Sequence, residues 1–545
     1  MFIRKHVFKR AGATQTYLRV VESRRIKGKV VQETLVNFGN ISHWPKQRVK
    51  ELIQKLSRFI ELETPGSLED MELKGVLNFG QAFALGLLWD SLQMTQAMER
   101  VLATPSFVAP IKAMVFNRLI QPHSELSTCQ WVRGEHIEGI PEDIPLHHYY
   151  RALSQMIEVK EPLESALYNR LNTLFSLDFS MVFYDLSSSY FEGAGPSEAK
   201  RGYSRDHRPD RPQVEIGLVV NHDGLPITHM VFEGNLKDSR SLPEILERMQ
   251  GAFKIRRCIF VCDKGMVSRK NLKDLSSSGY EYIVSIKLRH SQEASSILPM
   301  LPERERFVRL KDNLLVFELP AKAQERYIAC YNPLRARESA EHREANLREC
   351  EQFLQQFHLP PKQGKTKDPL KIRLRIDRYL RRKKMSSFFH YGFDPQGALT
   401  YSRRQQEIDR EACLDGLFII KTNSPKLSAQ SLALGYKSLW EVENAFREIK
   451  DFLKVRPIYH HNGQRVKGHI FVCFLAYLLE KLMEKRLEEA GLFISARKAL
   501  QSLSPIKVVI SELSGQRINK VTTISKEQEE ILKALGAQKM PKIVS

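Results

Sequence analysis

The stretch from Tyr436 to Lys450, YKSLWEVENAFREIK, sets one acid among several cations. Tyr436, Glu443 and Lys450 are spaced by seven. Seven residues of α-helix turn through about two full circles, so residues at that spacing share a face. Trp440 and Arg447 interleave at steps of four and three, and Val442, Phe446, Ile449 and Leu453 form a neighbouring apolar stripe suited to docking on a core. The bland reading is a solvated amphipathic helix. The chemical reading is a carboxylate that holds a metal while flanking cations hold a polyanion. Two further acids favour the second. Asp185 in SMVFYD and Asp263 in RRCIFVCD are each the first charged residue after a nearly continuous apolar run. A single Asp at such a place often only caps a turn. If the two strands are neighbours, however, their carboxylates repel unless a cation lies between them. Mg²⁺, which takes hard oxygen ligands and keeps water and phosphate in its other positions, answers that need. Such ions can activate a water or a 3′ hydroxyl and stabilise the oxygen leaving phosphorus. Glu443 is placed to complete the set.

The elements that must position these acids read as an α/β core. Strands buried on both faces are apolar throughout, as SMVFYD and RRCIFVCD are. VEIGLVVNHDG and LPITHMVFEGN flank an Asn-His-Asp-Gly turn, the signal of an antiparallel hairpin. With the helix SLPEILERMQG, a second helix near 268–278 and the strand YEYIVSIKL, the order is β-β-β-α-β-α-β, a mixed sheet covered by helices. The boundaries expected are a β-hairpin region at 1–65, where a basic turn RRIKGK joins two alternating runs, and a helical, DNA-binding region at 66–175. The core follows at 176–288, an insertion with three strands and a charged helix at 289–414, the second part of the core with the Glu443 helix at 415–465, and a helical region at 466–545.

The chain has 84 Lys and Arg against 63 Asp and Glu among 545 residues, and this excess favours a polyanionic partner. Eleven Lys or Arg lie between Lys362 and Lys384, interleaved with Ile372, Leu374, Ile376 and Tyr379, either as a charged linker or as an ordered DNA-facing element. Seven scattered cysteines include Cys258 and Cys262 on one strand with no second pair for a zinc site, so they read as buried thiols in a reducing compartment. The longest apolar run, Ile470 to Leu479, is about half of what spans a bilayer, and no membrane partner is expected. Asp238 reads as a turn residue and His460 and His461 as loop residues. There is no Gly-rich phosphate loop, so nothing suggests dependence on ATP.

The residues around the three acids resemble those of a bacterial insertion-sequence transposase of the DDE class, in the long-chain subgroup of the group named for a Tyr-Arg-Glu-Lys signature. Tyr436, Glu443 and Lys450 match that signature in register, and YDLSSSYFEG and CDKGM resemble the motifs around its two aspartates. The match runs from about Phe179 to His461. The resemblance implies a ribonuclease-H-like catalytic core carrying a β-rich insertion, flanked by an N-terminal β plus helical region and a C-terminal helical region. It implies Asp185, Asp263 and Glu443 as metal ligands, Mg²⁺ as the ion with Mn²⁺ able to substitute, and Tyr436 and Lys450 as phosphate contacts. It further implies cleavage of double-stranded DNA at terminal inverted repeats, joining to target DNA, a homodimer on DNA, and a cytoplasmic, nucleoid-associated location. Where the signature has Arg, this chain has Leu439, which cannot bind phosphate; Arg447, or Lys437, is the expected substitute. A transposase-derived DNA-binding protein without catalysis and a metal nuclease without strand transfer are the competing readings. Retention of all three acids argues against the first.

Overall fold

The computed structural model describes residues 2–543 apart from 11–12, 27–28, 43, 46, 50, 53–54, 56–70, 176–179, 256–257, 264, 266–267, 290, 321–324, 358–368, 396–397, 514–515 and 540. The chain forms two compact units, one of Met1–Leu77, Val508–Thr522 and Pro541–Ser545, the other of Asn78–Lys507 and Thr523–Met540.

In the first unit, β1 (Phe2–Arg10), β2 (Ala13–Ile26) and β3 (Lys29–Asn40) form an antiparallel sheet in that order. The turn expected at Lys27 and Gly28 and the end of the 1–65 region lie outside the described residues. A second sheet pairs β4 (Met71–Asn78) with strands from the other end of the sequence. The region expected to be helical from 466 onward therefore contains a hairpin, β16 (Lys507–Leu513) with β17 (Gln516–Val521). KVVISEL is β-branched at Val508, Val509 and Ile510, and that favours a pleated, half-buried surface over a helix.

The second unit is built on a nine-stranded mixed sheet. Its strands in chain order are β5 (Met181–Tyr190), β6 (Gln213–Asn221), β7 (Pro226–Glu233), β8 (Ile259–Cys262), β9 (Glu281–Ser285), β10 (Val308–Lys311), β11 (Leu314–Glu318), β12 (Arg326–Tyr331) and β15 (Leu417–Thr422). Their order in space is β10-β11-β12-β15-β9-β8-β5-β6-β7. The pairs β5–β8 and β8–β9 are parallel, as strands joined by crossover helices must be. Side chains alternate between the faces. Val182, Tyr184, Leu186, Phe260 and Cys262 pack in one core with Leu242, Ile245 and Met249 from the Leu242–Gly251 helix and Leu272 and Leu275 from the Arg269–Ser277 helix. The opposite face takes the Ala429–Lys437 helix. It lies so close that a Cβ on Gly435 would come within 2.9 Å of Met181 Cε.

The expected insertion at 289–414 does not stand apart as a whole. Strands β10 to β12 extend the main sheet, because β12 pairs with β15 along all six residues of each. The chain leaves the sheet at Asn332 and returns at Gly416, where φ is +66° and a Cβ would meet Asn332 O at 2.3 Å. Between them lies a lobe of the Pro333–Gln355, Pro369–Arg382 and Gln405–Ala412 helices and the hairpin β13 (Phe389–Phe393) and β14 (Leu399–Arg403), with its own core of Leu347, Leu354, Ile376, Leu380, Phe389 and Leu399. The Ile470–Leu479 run is buried within the Gly463–Glu489 helix, which packs on the Leu146–Glu158 and Val108–Ile120 helices. Among the described residues no helix is long and apolar enough to cross a membrane.

Candidate active site

Strands β5 and β8 pair in parallel up to Tyr184 beside Cys262, so the next residues on each are Asp185 and Asp263. Contrary to expectation, β5 does not end at Asp185. It continues to Tyr190 against β6, with Asp185 opposite Leu218. What ends there is β8, and its departure opens the edge of β5 beside the Asp185 carboxylate. Tyr184 and Cys262 face the core under the Leu242–Gly251 helix, so alternation turns Asp185 toward the opposite face. That face carries the Trp440–Arg447 helix, packed on β5 and β6, and Glu443 with it. The Tyr436 hydroxyl donates to Asp263 Oδ1 at 3.5 Å, and burial and this carboxylate raise the phenol's proton affinity.

The charges of Asp263 and Glu443 both act on Asp185. Burial pushes the Asp185 carboxyl up to about 7; the Leu186 N–H and the Arg205 guanidinium pull it down, and the Asp263 and Glu443 carboxylates add to the rise. An all-oxygen donor set with excess negative charge fits a hard divalent cation.

The expected single helix from Tyr436 to Lys450 is broken. The Ala429–Lys437 helix stops, Ser438 and Leu439 intervene, the Trp440–Arg447 helix follows, and Glu448–Phe452 forms a wider π turn. Tyr436 and Lys450 therefore reach their partners from separate segments, and Trp440 is 54% exposed. Lys450 is 9% exposed, with Nζ 2.8 Å from Asp206 Oδ1. Burial lowers its proton affinity and Asp206 opposes the shift. Arg456 also pairs with Asp206, and donates to Asp451 at 2.8 Å. Leu439 precedes the second helix and is 7% exposed, an apolar core position. Arg447 is exposed; Lys437 is exposed and donates to Asn313 Oδ1 at 2.8 Å.

Sequence reasoning missed the segment between β5 and β6. Arg205 donates to Glu215 Oε2 at 2.7 Å and to Asp238 Oδ2 at 3.0 Å, and its backbone N–H donates to Ser188 Oγ at 2.9 Å. The alternating charges of RDHRPDR were its one signal. Asp238 does open a turn, Asp238–Arg240, as expected, but its carboxylate serves Arg205.

His460, placed in a loop by sequence, joins a partly buried cluster with Glu125 and His469 whose ligand atoms lie within 4.8 Å of one another. His469 Nδ1 is 3.2 Å from Arg118 and its Nε2 is 3.1 Å from Val455 O. Burial, then Arg118, pushes this imidazole down to about 4, so it is neutral at pH 7. With both ring nitrogens engaged, the cluster reads as a latch on residues 454–460.

A protein-family model described as the transposase DDE domain matches residues 178–479, more than half of the chain. The chain belongs to the DDE transposases. A second model, the N-terminal domain of IS1634-family transposases, matches residues 3–65 and marks this as an insertion-sequence transposase. It is thus a DNA transposase and an enzyme, of a family that uses divalent metal ions. No curated protein matches it. Among solved structures, a piggyBac transposase seen by cryo-EM in a synaptic complex with hairpin DNA is similar at a TM-score of 0.34 and 8% identity, over 78% of this chain and 69% of that one. That likeness is too loose to equate one residue with another.

Proposed function

We propose that the transposase cuts DNA at the ends of its own element and joins the freed 3′ ends to target DNA, using Asp185, Asp263 and Glu443 to hold Mg²⁺ on a ribonuclease-H-like core. The observation that supports this is the adjacency of Asp185 and Asp263 where β8 leaves β5, with the charge of Glu443 felt at Asp185. The chemistry an ion supplies there is activation of the attacking oxygen and stabilisation of the leaving one at phosphorus. The protein's own residues supply the rest. Tyr436 holds Asp263 by a hydrogen bond. Lys450, already matched by Asp206, secures the wall of the site, while the exposed Arg447 and Lys437 take DNA phosphates in place of the arginine that Leu439 replaces.

The Pro369–Arg382 helix extends the DNA surface. Ile376 and Leu380 bury on the lobe, while Lys371, Arg373, Arg375, Arg378, Arg381 and Arg382 are exposed. Residues 362–368 of the basic run lie outside the described residues. Two element ends must be held together, so the working form is a homodimer on DNA, nucleoid-associated in the bacterial cytoplasm. Mn²⁺ replaces Mg²⁺. The test is cleavage and strand transfer on end-bearing duplexes with either ion. Wild type should do both. Asp263→Asn and Glu443→Gln should bind the ends yet lose about 10³-fold or more in cleavage, the scale for losing a group that stabilises the reacting centre. Stable end binding by wild type with no cleavage under either ion would overturn the reading.

A further inference from the structure

Arg205 carries its charge next to Asp185 and binds two carboxylates beyond the three proposed as ligands. Glu215 and Asp238 are the additional pair, and both are bound by one side chain. Arg205 reaches Glu215 at 2.7 Å and Asp238 at 3.0 Å through different guanidinium nitrogens, and its charge also acts on Asp185. Asp238 lies against the loop of the second aspartate: a Cβ on Gly265, two residues after Asp263, would meet Asp238 Oδ2 at 2.8 Å. The Asp238 carboxylate thus lies against the turn that follows Asp263, and only a quarter of the Arg205 side chain is exposed.

The backbone that carries Arg205 is held from both sides. Its N–H donates to Ser188 Oγ on β5 at 2.9 Å, and the next residue, Asp206, has a side chain 1% exposed beneath Lys450 and Arg456. This anchoring fits a residue whose position matters.

We propose that Arg205 is a positioning residue that partitions these carboxylates, neutralising Glu215 and Asp238 so that only Asp185, Asp263 and Glu443 are free to ligate the cation. The proposal rests on the metal site argued above. A planar guanidinium can bind two carboxylates at fixed angles, whereas a lysine ammonium is a point charge without that fork.

The experiment titrates the full-length protein with Mn²⁺, follows free Mn²⁺ by electron paramagnetic resonance, and measures cleavage in parallel. Wild-type binding that Asp263→Asn abolishes sustains the metal site itself; wild-type binding indifferent to Asp185→Asn and Asp263→Asn overturns that reading, separately from the role of Arg205. Given the site, Arg205→Ala should bind Mn²⁺ about tenfold tighter or take up an additional ion, since a neighbouring positive charge is gone and a carboxylate is released. It should nonetheless cleave more slowly. Adding Asp238→Asn to Arg205→Ala should return the affinity to that of wild type, and Arg205→Lys should fall between. Asp238→Asn alone should leave Mn²⁺ affinity within about twofold, because a carboxylate already bound to Arg205 contributes no ligand. This last variant keeps the proposal testable if Arg205→Ala fails to fold. A folded Arg205→Ala with wild-type affinity and stoichiometry, or an Asp238→Asn as defective in binding as Asp263→Asn, would overturn the assignment.

Discussion

Replacing Asp185 by Asn should stabilise the metal-free transposase at alkaline pH while abolishing its activity. Asp185 is only partly exposed, and burial with two neighbouring carboxylates lifts its proton affinity from 3.8 to about 7. The unfolded chain releases that proton near pH 4, whereas the folded protein keeps it until about pH 7. The folded state therefore binds more protons across this window, and stability falls as pH rises through it, the full penalty being present above pH 7. A shift of about three pKa units at 1.36 kcal/mol each sets a ceiling of ~4 kcal/mol, and relaxation with water entry brings the expected cost to ~2 kcal/mol. In chelator at pH 8, Asp185→Asn should melt about 2–4 °C above wild type. The gap should shrink toward pH 4, where the wild-type carboxyl is protonated when folded and nearly so when unfolded. Saturating Mg²⁺ should stabilise wild type by ~2.7 kcal/mol at about a hundred times its dissociation constant and the variant by much less. Paired melts by scanning calorimetry, with and without chelator, measure both. If Asp185→Asn melts at or below wild type at pH 8 in chelator, the carboxyl is not held among unbalanced acids and the argument for a cation fails.

Other perturbations probe the surroundings. Asp206→Ala leaves the buried Lys450 without its ion-pair partner and Arg456 with Asp451 alone, so thermal melting should show a loss of about 3 kcal/mol; a loss below about 1 kcal/mol would mean the charges are solvated. Leu439→Arg restores the signature's residue type, yet at a position 7% exposed it should cost on the order of 3 kcal/mol and bring no gain in end binding. Tighter binding by a stable Leu439→Arg would contradict this. Replacing Arg373, Arg378 and Arg381 together by Ala should lower the salt slope of DNA affinity by about one for each phosphate no longer neutralised, without altering sequence preference. Fluorescence anisotropy across salt concentrations measures it, and an unchanged slope would remove the Pro369–Arg382 helix from the DNA surface.

Much of the core was legible because burial on both faces writes itself as unbroken apolar residues: Met181–Tyr184 and Ile259–Cys262 could be located, and the two aspartates with them. The turn Asn-His-Asp-Gly likewise marked the β6–β7 hairpin. Other features left weaker traces. The apolar stripe Val442, Phe446, Ile449 lies wholly after the break at Ser438 and Leu439 and continues into the π turn, while Tyr436, Glu443 and Lys450 keep their spacing across both, so periodicity alone cannot show where one segment ends and the next begins. Membership of β10–β12 in the main sheet depends on the pairing of β12 with β15, strands separated by the whole lobe.

By itself, then, the sequence picked out the residues proposed to bear the chemistry, since residue type and the ends of buried runs are local properties. Tertiary structure decided what each charge meets. Lys450 and Asp206 lie 244 positions apart, and Arg205 and Asp238 lie 33 apart. Nothing in local pattern selects such partners, because their energy depends on how far each pair is removed from water. That burial set Lys450, expected as a phosphate contact, against Asp206, and it set Arg205, which no motif had marked, between Glu215 and Asp238.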